Sequence, residues 1–182
     1  VRRLSHYKIN VLHLHLSDDP GWRVEVNKYP ELTVETSFWP TRQPGKFYTQ
    51  EDIKSICDFC DSLNIRVIPE IDMPGHSAAF RKAIGKDMQT PEGMQVLKEA
   101  LDEIIPLFKD SLFHIGSDEV HFKMKEFMPE MIRYVRSKGK QVVVWYPGYA
   151  PDSNAVRMCW GEYEAGYSLD KSAPYIDCNG FY

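Results

Sequence analysis

One arrangement recurs along the chain: a short apolar run ending in polar or acidic residues, followed by a helical pattern. Apolar runs occupy residues 9–16, 65–72, 141–146 and 155–160, another opens at Phe113, and a further one begins near 173–177. Strands that alternate with helices of this length are joined by crossovers and therefore run parallel. Polar groups placed just after several parallel strands belong at the C-terminal rim of a β/α barrel. The run at 9–16 is informative in itself. Strand side chains alternate between faces, so Leu12, Leu14 and Leu16 share one face while Val11, His13 and His15 share the other. An apolar face suits a helical layer, and a His-bearing face suits the approach to a polar site.

The connecting helices carry their own start and stop signals. Thr49 with Asp52 three residues later forms a capping box ahead of Ile53, Ile56, Cys57, Cys60 and Leu63 at helical spacing. Thr90-Pro91 supplies an N-cap and a first-turn proline for a helix with Leu97, Ala100, Leu101, Ile104, Ile105 and Phe108 inward. A third helix is expected over 124–138, with Met128, Met131, Ile132 and Val135 inward and Gly139 ending it. Residues 1–8 read as the end of a helix. Residues 24–48, with three prolines, read as a long irregular connection.

The most pointed stretch is Phe113-His114-Ile115-Gly116-Ser117-Asp118-Glu119-Val120. Asp118 and Glu119 can converge on one site only if the strand has ended before them, and Gly116 allows the backbone to bend there. Composition narrows the function classes around this pair. The 182 residues are 43% hydrophobic and 26% charged with net charge -4, as expected of one globular domain. Mixed charge argues against nucleic acid, and no apolar run reaches membrane-spanning length. Cys57 and Cys60 lie within a helical pattern, and Cys159 and Cys178 form no second close pair, so the thiols are expected to pack in the core.

Five motifs in one order carry a family resemblance: NVLHLHLSDD at 10–19, GWR at 21–23, YTQEDI at 48–53, IRVIPEIDMPGH at 65–76 and HIGSDEV at 114–120. Together they resemble the family 20 glycoside hydrolases, the β-N-acetylhexosaminidases. The resemblance implies an α/β fold, a (β/α)8 TIM barrel, of which residues 1–182 are expected to supply roughly strands 2 to 7, with the first and last strands outside the chain. It implies a retaining exo-glycosidase that removes terminal β-linked N-acetylglucosamine or N-acetylgalactosamine from a glycan or glycoconjugate, with no cofactor or metal. An extracytoplasmic location is the expectation from the family.

Most glycosidases pair an acid with a second carboxylate that acts as nucleophile or base, and this family is among the exceptions. The resemblance implies that the substrate's own 2-acetamido oxygen attacks the anomeric carbon to give an oxazolinium. Glu119 is then the general acid, with a pKa expected to be raised by burial and by Asp118, and Asp118 orients the acetamido N–H. Asp18 and His76 match positions at the site, His76 either orienting Glu119 or pairing with Asp72. Trp145 and Trp160 match the walls of the acetamido pocket. Tyr175 and Asp177 match a Tyr and an Asp that contact the sugar, with Tyr182 competing for the Tyr role. Asp72, His15, His114 and Glu70 are expected as supports behind the contacting groups, with satisfied core histidines as the alternative for His15 and His114. Trp22 and Trp39 are assigned to packing.

Two positions depart from the family pattern. Ser117 stands where a second glycine is usual, and Tyr146-Pro147-Gly148 replaces an acid that often follows Trp145. Two other readings remain open from the residues. His13 and His15, with Asp72, His76, His114 and Asp118, could build a metal-dependent hydrolase on the same barrel. A sugar-binding remnant without turnover is the other.

Overall fold

The computed structural model describes residues 1–149, 154–160 and 174–178. The elements, in chain order, are α1 (Arg2–His6), β1 (Val11–His15), β2 (Ser17–Asp18), β3 (Gly21–Trp22), α2 (Gln50–Ser62), β4 (Arg66–Glu70), α3 (Ala78–Ile84), α4 (Pro91–Ile104), β5 (Leu112–His114), α5 (Phe127–Ser137), β6 (Gln141–Tyr146), β7 (Val156–Cys159) and β8 (Tyr175–Asp177). Six of the strands form one sheet in the order β1-β4-β5-β6-β7-β8, every neighbouring pair parallel. Spatial order equals chain order, so the sheet winds in one sense with no reversal point. That is the winding of a barrel rather than of a doubly wound open sheet. The chain folds as part of a (β/α)8 barrel.

Local sequence accounts for the helices. In α2 the Thr49 hydroxyl accepts the Asp52 backbone N–H at 3.0 Å, and the Asp52 carboxylate accepts the Thr49 N–H at 2.9 Å. Thr90 caps α4 by accepting the Gly93 N–H at 3.0 Å. The expected run to Phe108 is shorter than predicted. Pro106 lacks an N–H for the α-helical ladder, so the chain passes into a 3-10 turn, Ile105–Leu107, and Phe108 is buried beyond it. One helix was not anticipated: α3 is short and buries only Ala79 and Phe80. Gly85 in the left-handed conformation ends it, and the Asp19 carboxylate accepts the N–H of Ala78 at its start (2.8 Å).

The two faces of the sheet separate as the alternation in β1 predicts. Leu12, Leu14, Leu16, Val67, Ile71, Phe113, Ile115, Val142 and Val144 belong to the core shared with the helices, which also takes in Cys57 and Cys60. All four cysteines are free thiols, and three of them are buried. The inner face starts polar and turns apolar along the sheet. Register places His15 beside Glu70, Glu70 beside His114, His114 beside Val143, and Trp145 beside Met158. Val143, Trp145, Val156 and Met158 form a separate inner cluster, against which Trp160, Ile176 and Cys178 pack. Trp22 lies in the helix-side core, and Trp39 is exposed. Among the described residues, no helix is long and apolar enough to cross a membrane.

Candidate active site

The carboxylate pair forms because β5 ends at His114, four residues before Asp118. Two backbone features then turn the chain over the rim. Gly116 adopts φ +67°, and a Cβ there would lie 1.7 Å from Oδ1 of Asp72. Asp72 is itself buried, its backbone N–H donated to the Ser17 hydroxyl at 2.9 Å. Only glycine therefore fits both the turn and the carboxylate behind it. Gly75 makes a second close approach, since a Cβ on it would lie 2.8 Å from the backbone oxygen of Asp118.

The residue after Gly116 carries a strained conformation. Ser117 has φ +95°, is buried, and its hydroxyl has no hydrogen-bond partner. A non-glycine side chain held at positive φ costs on the order of 1–3 kcal/mol, and a buried unpaired hydroxyl adds to that. Ser117→Gly is expected to raise stability by about 1 kcal/mol after the extra unfolded-state freedom of glycine is deducted. Urea denaturation reads the change, and a decrease in the midpoint would show that the hydroxyl stabilises the turn instead.

Glu119, also at positive φ (+47°), meets a line of alternating acids and imidazoles. His76 Nε2 is 3.4 Å from Glu119 Oε2, and His76 Nδ1 is 3.3 Å from Asp18 Oδ1. Asp18 Oδ2 is 3.4 Å from His15 Nε2, and His15 Nδ1 is 3.0 Å from Glu70 Oε2. Of the two partners the sequence left open for His76, the structure pairs it with Glu119 and Asp18. Adjacent aspartates thereby divide their tasks: Asp18 faces the rim, while Asp19 caps α3.

Glu70 anchors the inner end of this line. It is fully buried, accepts the Trp145 indole N–H at 2.8 Å, and has His13 Nε2 at 2.8 Å. Burial alone would raise its pKa. The imidazoles of His13, His15 and His114 close around it outweigh burial and hold Glu70 well below the usual carboxylate range. Asp72 goes the other way. Burial, reinforced by Glu70 and Asp118, pushes it up to about 9, so it is neutral at pH 7. Burial likewise raises Asp118, and one of its oxygens, Oδ1, is buried with no hydrogen-bond partner. Burial lowers His114 to about 3.

Several expectations change in position. Glu119 was expected to be desolvated, yet its side chain is 59% exposed among the described residues, because it projects past the rim that buries Asp72 and Glu70. Tyr175 and Asp177 are not brought to the carboxylates. Their register partners are Arg157 and Cys159, whereas Ile176 lies beside Met158 in the inner cluster. Alternation along β8 therefore turns Tyr175 and Asp177 to the opposite face, where both are exposed. Tyr182 lies outside the described residues. Trp145 stands on the inner face with its ring centroid 4.6 Å from that of His114, and Trp160 follows β7 on the same side, its backbone N–H donated to Tyr146. His13, read from sequence only as a metal ligand, contributes to the Glu70 cluster. In register it pairs with Ile68, and its contact with Glu70, the next inward-facing position of β4, depends on that register, which no local signal specifies.

The same groups lie close enough together to be considered as metal ligands. His13, Glu70 and His114 offer atoms within 4.8 Å of one another, as do sets built on His15, Asp18 and Asp72. In the first set the Gly116 N–H is donated to His114 Nδ1 at 3.0 Å, so the neutral ring carries its proton on Nε2. His114 then has no lone pair left for a cation. In the sets built on His15 and Asp18, the imidazoles already face carboxylates along the line from Glu119 to Glu70, and Asp19 accepts the Ala78 N–H.

A barrel rim bearing two adjacent carboxylates, with an imidazole between one of them and a further aspartate, holds groups suited to proton transfer. A family model described as glycosyl hydrolase family 20, catalytic domain, matches residues 1–92. The chain belongs to glycosyl hydrolase family 20. It is 32% identical over 202 residues to a β-hexosaminidase of Vibrio furnissii, the match covering 80% of this chain and 33% of that protein. The solved chitobiase of Flavobacterium johnsoniae superimposes with a TM-score of 0.84 at 27% identity, covering 100% of this chain and 35% of that one. A mutant Streptomyces plicatus β-hexosaminidase in complex with GlcNAc gives a TM-score of 0.81 at 28% identity, covering 98% and 43%. This chain thus spans about a third of the Vibrio relative's length.

Proposed function

We propose that this chain forms part of the catalytic barrel of a retaining exo-β-N-acetylhexosaminidase, and that its substrate is a glycan or glycoconjugate ending in a β-linked N-acetylhexosamine. The observation that carries this reading is the placement of Asp118 and Glu119 side by side past the end of β5, with His76 between Glu119 and Asp18. Adjacent carboxylates on one turn cannot flank a sugar from opposite sides as an acid and a separate nucleophile must. They can serve a substrate that carries its own nucleophile.

In the proposed sequence Glu119 gives its proton to the glycosidic oxygen as that bond breaks. The 2-acetamido oxygen attacks the anomeric carbon from the other side, and positive charge spreads over the resulting oxazolinium. Asp118 accepts the acetamido N–H and faces that charge. Its buried, unpartnered Oδ1 is an acceptor suited to such a donor. Water then attacks the anomeric carbon, giving its proton to Glu119 and reopening the ring with retention. His76, held by Asp18, orients Glu119 in both steps. Trp145 and Trp160 line the inner side of the sheet as apolar surfaces for the acetamido group.

Comparing an aryl β-N-acetylglucosaminide with the matching aryl β-glucoside tests substrate assistance directly, because the glucoside lacks the internal nucleophile. The expected result is turnover of the first at least 10²-fold faster than of the second, with no response to chelator. Equal rates on the two would overturn substrate assistance. Binding of N-acetylglucosamine without any turnover would favour a sugar-binding role instead.

A further inference from the structure

The line that reaches Glu119 does not stop at Asp18. Among the described residues, His15 bridges Asp18 and the buried Glu70, and both of its ring nitrogens face carboxylate oxygens, at 3.4 Å and 3.0 Å. A neutral imidazole has one N–H and one lone pair. In the neutral form, one of these two contacts would set a lone pair against a carboxylate. Only the doubly protonated ring donates to both.

We infer that His15 is a fixed imidazolium, a positioning residue whose two N–H groups tie Asp18 to Glu70 and thereby set the charge and orientation with which His76 meets Glu119. The proposal rests on the hexosaminidase reading for its effect on rate, but not for the state of the ring. The surrounding groups favour the cation. Asp18 faces it from β2 and Glu70 from β4, while Asp72 is neutral at pH 7 and His114, on β5, is neutral as well. Arg23, Arg42 and Lys46 line the cavity on the outer side of His15, but the Arg23 guanidinium is occupied by the backbone oxygens of Arg42, Gln43 and Lys46. Burial opposes charge on His15, and the close carboxylates of Asp18 and Glu70 outweigh it, raising its pKa to about 10, even though His13 Nε2 shares the same Glu70 oxygen at 2.8 Å. Asp18 is held below its ordinary value chiefly by the His15 hydrogen bond, against the effect of burial.

A histidine pKa raised above its unfolded value of about 6.5 adds stability that is complete below that pH and is lost as pH rises toward about 10. Its charge is therefore constant across neutral pH, unlike that of an ordinary histidine. Without it, Asp18 would present an uncompensated negative charge to His76, and every acid at the rim would hold its proton more tightly.

Two measurements decide the matter. Nitrogen-15 NMR of the histidine rings in the unmodified protein is expected to show both His15 nitrogens at imidazolium shifts from pH 6 to pH 9, with His15→Gln used to assign the signals. A titration midpoint near 6.5 would overturn the proposal whether or not the protein turns over any glycoside. The pH profile of kcat/KM on the aryl β-N-acetylglucosaminide then tests the functional half. Removing the unit charge at the far end of the line from Glu119 is expected to move both limbs of the profile to higher pH by about one unit in His15→Gln. His15→Lys, which keeps the cation, is expected to restore the parent profile. A His15→Gln profile superimposable on the parent would reduce His15 to a packing role. Should His15→Gln fail to fold, the NMR titration and the His15→Lys profile still decide. Absence of turnover in every variant and in the parent would overturn the hexosaminidase reading while leaving the NMR result to stand alone.

Discussion

Glu119→Gln is expected to lower kcat/KM about 10²–10⁴-fold on substrates whose leaving group needs a proton, the range assigned to a positioned general acid. Gln is nearly isosteric and keeps a polar end toward His76, so loss of the proton is the main change. An activated aryl leaving group departs without protonation, so for such substrates the first step is expected to be spared and any loss confined to the activation of water. The comparison of leaving groups therefore matters more than either rate alone. An equal loss on activated and unactivated substrates would point to misplacement of the sugar rather than loss of the acid. Near-parent rates on unactivated substrates would remove Glu119 from the mechanism.

Gly116→Ala is expected to be severely destabilising, costing about 3 kcal/mol or more in urea denaturation. Two penalties combine there. A non-glycine residue at φ +67° costs about 1–2 kcal/mol, and the new methyl would fall 1.7 Å from Asp72 Oδ1, 2.5 Å from its Cγ and 2.9 Å from its Cα. Neither side of the clash can yield easily. Asp72 is buried, with its backbone N–H held by Ser17, and the loop after Gly116 lies against Gly75 through Asp118. Relief would require the carboxylate turn to lift off the rim, carrying Asp118 and Glu119 with it. A stability within about 1 kcal/mol of the parent would mean that the turn can relax in ways the packing does not suggest. The contrast with Ser117→Gly, one residue along and opposite in sign, makes the pair a direct test of where the strain in this turn resides.

The carboxylate turn shows how far sequence reading reaches. That Asp118 and Glu119 must follow the end of a strand came from the period of two, and β5 does end at His114. That Gly116 was needed for close approach was also legible. What it approaches was not, because Asp72 lies 44 residues earlier and meets Gly116 only when β4 and β5 pair. The same holds for His76. The sequence offered Glu119 and Asp72 as its partners, whereas its second partner is Asp18, which the hairpin of β2 and β3 carries to 3.3 Å from it.

Tyr175 and Asp177 illustrate the reverse case. A motif match cannot say to which face an alternating strand turns a given residue, because a shift of one position inverts the whole set. The register of β8 against β7 puts Ile176 inward, and the Tyr and Asp go outward with it. Helix α3 escaped notice because seven residues with two buried side chains carry little periodicity, and its N-terminal partner, Asp19, is remote in sequence.

The sequence by itself determined the winding of the sheet, the polarity of its two faces, the caps of α2 and α4, and the family. Each of these depends on local periodicity, on the geometry of three or four successive residues, or on motifs read in order. The tertiary structure decided which charges meet. The alignment of His15, Glu70 and His114 across three strands, the neutral Asp72 behind the turn, and the line from Glu119 through His76 and Asp18 to His15 all depend on register and burial. Electrostatic interaction depends on distance and on the water excluded between groups, and neither exists until the strands are side by side.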